Sequence, residues 1–216
     1  MKVVAIVPVK RFENAKSRLS GLLSLADRVV LSSLMLEDTL KELAKADRLD
    51  EVVVVSSDMR AKELAHSQGA TFLEEESENG VNAAVSLADR YCAGRGADAS
   101  IVIPQDLALM DGMEISMACD LAEGVEKCVV ISPSRRYDGT NILFRKPPDA
   151  IATFFDRNSY ESHLADANAK GIPVKLYFSK KLMIDIDTPE DARELVMDGA
   201  GRKDSKVIDF LKLKLG

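Results

Sequence analysis

The chain has 216 residues, of which 46% are hydrophobic and 30% charged, with a formal net charge of −6. This length favours one domain over 1–216 with one sizeable core, and no apolar stretch approaches the roughly 18 residues of a membrane span. An acidic balance, no Trp and only four Tyr speak against a nucleic-acid binder that relies on backbone charge or base stacking. Cys92, Cys119 and Cys128 are odd in number and unevenly spaced, which fits neither a disulfide framework nor a zinc site and points to a reducing cytoplasm. The start, MKVVAIVPVK, is too short an apolar run for a signal peptide.

The first apolar run, VVAIVP at 3–8, passes through Pro8 and Val9 into a polar loop carrying Lys10, Arg11, Lys16 and Arg18. A buried strand feeding four cations into a loop reads as a phosphate site, because open α/β sheets bind ligands beyond the carboxyl ends of their parallel strands. The spacing is not that of GxGxxG or a Walker loop. From Ser24 to Ala46 the periodicity is helical, with Leu25, Val29, Leu31, Leu34, Leu36, Leu40 and Leu43 on one broad face and Ser24 as N-cap. Strands follow at EVVVVSS (51–57), SIVIPQD (100–106), KCVVIS (127–132) and VKLYFS (174–179), with helices over 59–67 and 82–91 that Gly69 and Gly94 stop. Strands alternating with helices predict parallel pairing.

The alternation breaks at 134–165, where SRRYDGTNILFRKPPDA holds a turn, a short apolar strand and a Pro-Pro stop. This segment is expected to form an inserted hairpin or lid over the strand ends. In LMIDIDTPEDARELV, Thr188 is expected to cap a helix begun by Pro189, with Glu190 and Asp191 at its positive end. A terminal helix over 203–216 is expected to turn Val207, Phe210 and Leu211 inward.

Asp106 and the pair Asp185 and Asp187 fall where strands end. Two carboxylates beside a cationic loop form an oxygen site suited to Mg2+, which takes one or two protein carboxylates together with substrate phosphates. That combination implies metal-assisted phosphoryl or nucleotidyl transfer. Asp185 is expected to face away from Asp187, leaving Asp106 and Asp187 as the metal ligands. Lys10, Lys16 and Arg18 would neutralise a triphosphate and its leaving pyrophosphate. In an extended loop Lys16 and Arg18 share a face and can close on one ligand, whereas Arg11 stays solvated.

Ser56, Ser57 and Asp58 after the second strand, and Glu78 to Asn82 before a helix, are placed for base and ribose. Gly80 permits close approach of a planar base, and Asn82 reads equally as a helix cap. Thr140 and Asn141 of DGTN, with Asn158, Ser159 and His163, can hold a phosphate or carboxylate of an acceptor, although DGTN also reads as a hairpin turn. His66 is expected to be structural. No Ser-His-Asp or Cys-His set suggests a protein nucleophile, so the acceptor's own phosphate would attack the nucleotide.

The motifs VPVKRFENAKSRLS, SSD at 56–58, ENGVNAAV, IPQDLALM, DGTNILF, NSYESH and IDIDTPEDA follow in order over nearly the whole chain. Together they resemble the 2-phospho-L-lactate guanylyltransferase family. The resemblance implies a Rossmann-like, glycosyltransferase-A type α/β fold, with a mixed, mostly parallel sheet flanked by helices. It implies reaction of GTP with 2-phospho-L-lactate to give lactyl-2-diphospho-5'-guanosine and pyrophosphate, in coenzyme F-420 biosynthesis and with Mg2+ as cofactor. The resemblance also implies, as an alternative acceptor, phosphoenolpyruvate or another three-carbon phosphoacid, which related members use. By position it implies triphosphate contacts for Lys10, Lys16 and Arg18, and nucleotide contacts for Pro8, Val9, Lys10, Ser56, Gly80 and Asn82. Asp106 and Asp187 would hold the metal, and Thr140, Asn141 and Ser159 the phosphoacid.

The chain departs from the family pattern at Ala108, where PxDLPL often has proline, and at Phe155-Asp156, where an aromatic-Gly turn is common. A carboxylate at Asp156 would repel an anionic acceptor unless turned away or paired. Guanylyl transfer to a pterin, cytidylyl transfer to an acid sugar and a non-catalytic nucleotide sensor are the alternatives. DGTN and NSYESH favour a small phosphoacid over the first two. Apolar segments around 142–155 permit a homodimer in which the inserted hairpin lends a sheet edge.

Overall fold

The computed structural model describes residues 1–156, 158–197 and 205–215. Seven strands form one sheet: β1 (Val3–Pro8), β2 (Glu51–Ser56), β3 (Thr71–Glu74), β4 (Ala99–Val102), β5 (Cys128–Pro133), β6 (Thr140–Lys146) and β7 (Val174–Leu176), in the order β3-β2-β1-β4-β6-β5-β7. Pairing is parallel throughout except around β6, which runs antiparallel to both β4 and β5. The Val- and Ile-rich runs are strands because the sheet is covered on both faces, so alternate side chains enter opposite apolar layers. Val3, Ala5 and Val7 pack with α1 (Leu25–Leu43), α2 (Met59–Ser67) and α4 (Gly112–Asp120). Val4 and Ile6 pack with α3 (Val81–Gly94) and α5 (Ser159–Ala169).

A third apolar cluster lies beyond the sheet's carboxyl end and positions the site. Leu19 and Leu23 of the cationic loop, Ile186 before α7 (Pro189–Met197), Ala192 and Leu195 within α7, and Val207, Ile208 and Leu211 of α8 (Lys206–Leu215) bury against one another there. Their burial fastens the chain next to Arg18 and the chain next to Asp187 to the same block. One further turn, α6 (Lys180–Met183), follows β7.

Several expectations change. The 134–146 hairpin exists, but its second strand lies inside the sheet with a neighbour on each side rather than over the strand ends, so β3 and β7 are the sheet edges and the hairpin lends none to a dimer. The strand expected over 100–106 ends at Val102, which frees the next residues for the cleft. β3 was not anticipated from the sequence pattern. Gly94 lies within α3, and Gly96, at φ +63°, is the left-handed stop. Ser24 caps α1 by accepting from the Asp27 N–H, and the Asp191 N–H donates to Thr188 Oγ1 at the start of α7, both as expected. In the terminal helix Val207 and Leu211 are buried and Phe210 is partly so, while 203, 204 and 216 lie outside the described residues. Among the described residues, no helix is long and apolar enough to cross a membrane. Cys92, Cys119 and Cys128 are buried free thiols.

Candidate active site

A cleft of about 700 Å3 opens at the carboxyl ends of the strands. It brings together Pro8, Lys10, Lys16, Arg18, Asp106, Thr140, Asn141, Ser159 and Asp187 of the expected site. Four of the residues assigned through the family resemblance do not line it. The Val9 side chain belongs to the core, and its N–H donates to Val55 O at 2.9 Å. Ser56 is fully buried, its hydroxyl accepting from the Asp58 N–H at 3.0 Å. Gly80 and Asn82 flank Val81, which does line the cleft. Gly80, at φ +87°, is the N-cap of α3, a place that the sequence reading offered to Asn82.

The loop after β1 is held in shape by buried anchors. Phe12 is fully buried, and its N–H donates to Asp58 Oδ2 at 2.9 Å. Asp58 also accepts from the Arg60 N–H at 2.9 Å as the cap of α2, so it shapes the loop and does not line the cleft. Arg11 is exposed, as expected, and donates to Ser57 Oγ at 3.1 Å.

These anchors direct Lys16 inward. Its backbone is left-handed, at φ 55°, and the following 3-10 turn Ser17–Leu19 replaces the extended loop that the sequence suggested. The Lys16 side chain is only 3% exposed, and its ammonium lies 2.8 Å from Asp106 Oδ2 and 3.2 Å from Asp187 Oδ1. It also donates to Ile186 O at 2.8 Å. Burial alone would lower its pKa, but the two carboxylates more than offset this and hold it above the ordinary lysine value. Lys16 is therefore a fixed cation. Arg18 reaches the other oxygen of Asp187 at 3.3 Å, so the two cations do converge, on a carboxylate. Lys10 lines the same cleft, exposed and without an ion pair among the described residues.

The two carboxylates are tied by backbone as well, since the Ile186 N–H donates to Asp106 O at 3.2 Å. Asp191 fixes the second one by accepting from the N–H groups of Asp187, at 3.2 Å, and Thr188, at 2.8 Å. Asp185, expected to face away, lines the cleft with Asp187, because residues two apart in an extended chain point to the same side. Burial, then repulsion from Asp187 and Asp106, pushes its carboxyl above the usual range. Among the described residues no three acidic, His or Cys side chains are grouped to enclose a metal by themselves. Asp106 and Asp187 nevertheless share one cation in Lys16 and keep side-chain exposures of 29% and 35%. That donor set fits a Mg2+ completed by substrate oxygens.

The opposite wall is built around two hydroxyls. The Thr140 N–H donates to Ser159 Oγ at 2.7 Å, and Thr140 Oγ1 lies 3.0 Å from Nδ1 of the buried His163. Asn141 Nδ2 donates to Leu182 O at 2.8 Å and so anchors α6. Asp156 also lines the cleft, and its carboxylate is paired: Asn82 Nδ2 donates to it at 2.8 Å while Asn82 Oδ1 accepts from the Phe155 N–H at 2.8 Å. The sequence reading passed over Arg135 and Arg136, which line the cleft and reach Asp191 at 3.3 and 3.5 Å. Two adjacent arginines after a strand end were the available signal. Gln105 was also missed, and its buried Oε1 has no partner among the described residues.

A mixed sheet with one antiparallel strand, and a cleft of paired carboxylates and cations beyond the strand ends, define a nucleotidyltransferase-type architecture. In agreement, a solved structure from Desulfovibrio desulfuricans G20, described as a nucleotide-diphospho-sugar transferase, superposes with a TM-score of 0.79 at 14% identity, over 99% of this chain and 95% of that one. The chain belongs to the family described as "Guanylyl transferase CofC like", whose model matches residues 1–216. It is 37% identical over 201 residues to the 2-phospho-L-lactate guanylyltransferase of Methanothermobacter thermautotrophicus, covering 93% of this chain and 87% of the relative. It is 36% identical over 199 residues to the phosphoenolpyruvate guanylyltransferase of Rubrobacter xylanophilus, covering 92% and 96%.

Proposed function

We propose that this protein is a cytoplasmic, Mg2+-dependent guanylyltransferase that joins GTP to 2-phospho-L-lactate, giving lactyl-2-diphospho-5'-guanosine and pyrophosphate for coenzyme F-420. The observation that carries the reading is one cleft in which Lys16 joins Asp106 to Asp187 at one end while the Thr140 and Ser159 hydroxyls line the other. An acceptor phosphate oxygen attacks the α-phosphorus of GTP. The new bond is P–O–P, the bond from the α-phosphorus to the bridging β-oxygen breaks, and pyrophosphate leaves with the electron pair. Because the acceptor is already anionic, no general base is required, and Lys16, held protonated, is unsuited to be one. Lys10 and Arg18 neutralise the β- and γ-phosphates, and Lys16 holds the two carboxylates in register. When bound, Mg2+ supplies Lewis-acid neutralisation of phosphate oxygens, and Asp106 and Asp187 would hold it. The Asn82 amide donates to Asp156 and so gives the carboxylate beside the acceptor a partner, which softens its repulsion.

The nearly equal identity to a phosphoenolpyruvate-using relative supports a second acceptor as the alternative. Pyrophosphate release with Mg2+ and GTP should therefore be measured with 2-phospho-L-lactate, with phosphoenolpyruvate and without acceptor. We expect release with 2-phospho-L-lactate and a baseline without acceptor. Preference for phosphoenolpyruvate would change the substrate, and silence with both would overturn guanylyl transfer to a phosphoacid.

A further inference from the structure

His163 lies four residues after Ser159 on α5, hence on the same helix face, and is fully buried behind Thr140. Its ring makes two polar contacts that together determine where its proton sits. The backbone N–H of Phe154 donates to Nε2 at 2.9 Å. A backbone N–H can only donate, so Nε2 must present a lone pair. The ring is then neutral with its single proton on Nδ1, and that proton points at Thr140 Oγ1, 3.0 Å away. Burial, with the Arg145 charge adding to it, pushes the imidazole pKa down to about 4, in keeping with a neutral ring.

The consequence falls on the hydroxyl. Once Thr140 Oγ1 accepts from the imidazole, its own hydrogen is left for another acceptor. Ser159 is in the same position, because its Oγ accepts the Thr140 N–H at 2.7 Å. Among the described residues neither hydroxyl hydrogen has an acceptor, and both residues line the cleft. We propose that His163 is a positioning residue: by holding the Nδ1–H tautomer it makes the Thr140 hydroxyl, beside that of Ser159, a donor into the cleft, which selects an oxyanion of the acceptor over a neutral or hydrogen-donating group. The ligand side of this inference rests on the phosphoacid reading above. The tautomer does not.

The chain has two histidines, so long-range proton–nitrogen correlation on 15N-histidine-labelled protein resolves both rings. We expect His163 with a protonated Nδ1 and a bare Nε2, and a shift of its ring resonances, without one at His66, on titration with phosphoenolpyruvate. A protonated Nε2 overturns the tautomer, and unmoved His163 resonances overturn anion selection, whether or not the protein turns over with any acceptor.

Two substitutions separate positioning from plain support. His163→Asn keeps an amide donor near the Nδ1 position but loses the acceptor for Phe154. His163→Gln keeps an acceptor near Nε2 but loses the donor to Thr140. Losing one oriented hydrogen bond should raise KM for the phosphoacid about tenfold in His163→Gln, with kcat and KM for GTP nearly unchanged. His163→Asn should stay within about threefold of the parent, since the donor to Thr140 survives. Thr140→Val should match His163→Gln, and combining the two should cost little more, because both remove the same contact. The reverse ranking, or additive losses, would mean that His163 merely supports the Phe154 segment. Absence of turnover by the parent with every phosphoacid would instead count against the proposed function, leaving the tautomer spectrum to stand or fall by itself.

Discussion

The two ends of the cleft solve the binding of anions in different ways. At the Asp106–Asp187 end, full charges are packed together, with one buried ammonium bridging two carboxylates and a third carboxyl, Asp185, made harder to ionise by its neighbours. At the Thr140–Ser159 end the cleft presents hydroxyls whose hydrogens are directed by groups behind them, and the carboxylate beside them, Asp156, is covered by Asn82. The first arrangement suits a ligand whose charge changes during reaction, because mutually paired charges can be redistributed toward a triphosphate and a cation. The second suits a ligand that must only be oriented, because neutral donors give direction without trapping it.

The contrast predicts effects of unequal size, the largest at the charged end. Asp106→Asn keeps an oxygen for Lys16 but removes a negative charge from the proposed Mg2+ site. It should lower kcat by at least about 10^3-fold while the melting temperature moves little. Turnover near the parent rate would exclude Asp106 from the reaction. Lys16→Met should lower kcat/KM by about 10^2-fold and also destabilise the fold by about 1 to 2 kcal/mol, since two facing carboxylates lose their shared cation yet keep partial access to water. Added Mg2+ should recover part of that stability in a thermal melt. If Mg2+ leaves the variant's melting temperature unchanged, the two carboxylates do not share a metal.

How much of this was legible follows from distance along the chain. β1, β2, β4 and β5 could be read because strands covered on both faces appear as unbroken Val and Ile runs. β3, TFLE at the sheet edge, is only partly buried and carries no such run. The Asp-Gly turn announced the hairpin, but nothing near it says that β6 pairs with β4, whose partner residues Ile101 and Phe144 are joined only by the fold. Asp106, Asp187 and the cationic loop were legible because they sit at strand ends. The ammonium of Lys16 was assigned to phosphate because its carboxylate partner at Asp187 is 171 residues away. The loop-shaping role of Asp58 was hidden for the same reason, since its hold on Phe12 joins two loops that are neighbours only in space.

A smaller effect is expected where the hydroxyl end keeps a charge in check. Asn82 covers Asp156, at the position where the family pattern often has glycine. Asn82→Ala should leave that exposed carboxylate unpaired beside an anionic acceptor and raise KM for the phosphoacid about three- to fivefold, solvent screening keeping the effect modest. Asn82→Ala combined with Asp156→Gly should return KM to near the parent value. If it does not, the Asn82 amide matters for holding Phe155 rather than for hiding charge.

The smallest effect concerns stability and belongs wholly to the hydroxyl end. The unfolded chain holds the His163 imidazole near its ordinary value of 6.5, whereas burial and Arg145 hold the folded one at about 4. Between those values the unfolded state binds a proton that the folded state refuses, so stability falls as pH drops from about 6.5 toward 4. The contribution is complete above that window, and below it both states are protonated and the slope ends. Arg145, paired with Asp89 at 2.6 Å, adds to the effect of burial, and Asp166, nearer the surface, opposes it. Comparing denaturant melts at pH 7 and pH 5, the parent should lose on the order of 1 kcal/mol more than His163→Gln, whose side chain does not titrate. Equal losses would mean that the folded imidazole takes up its proton as readily as the unfolded one, and a ring protonated on both nitrogens could neither accept from Phe154 nor hold the donor geometry on which the hydroxyl wall depends.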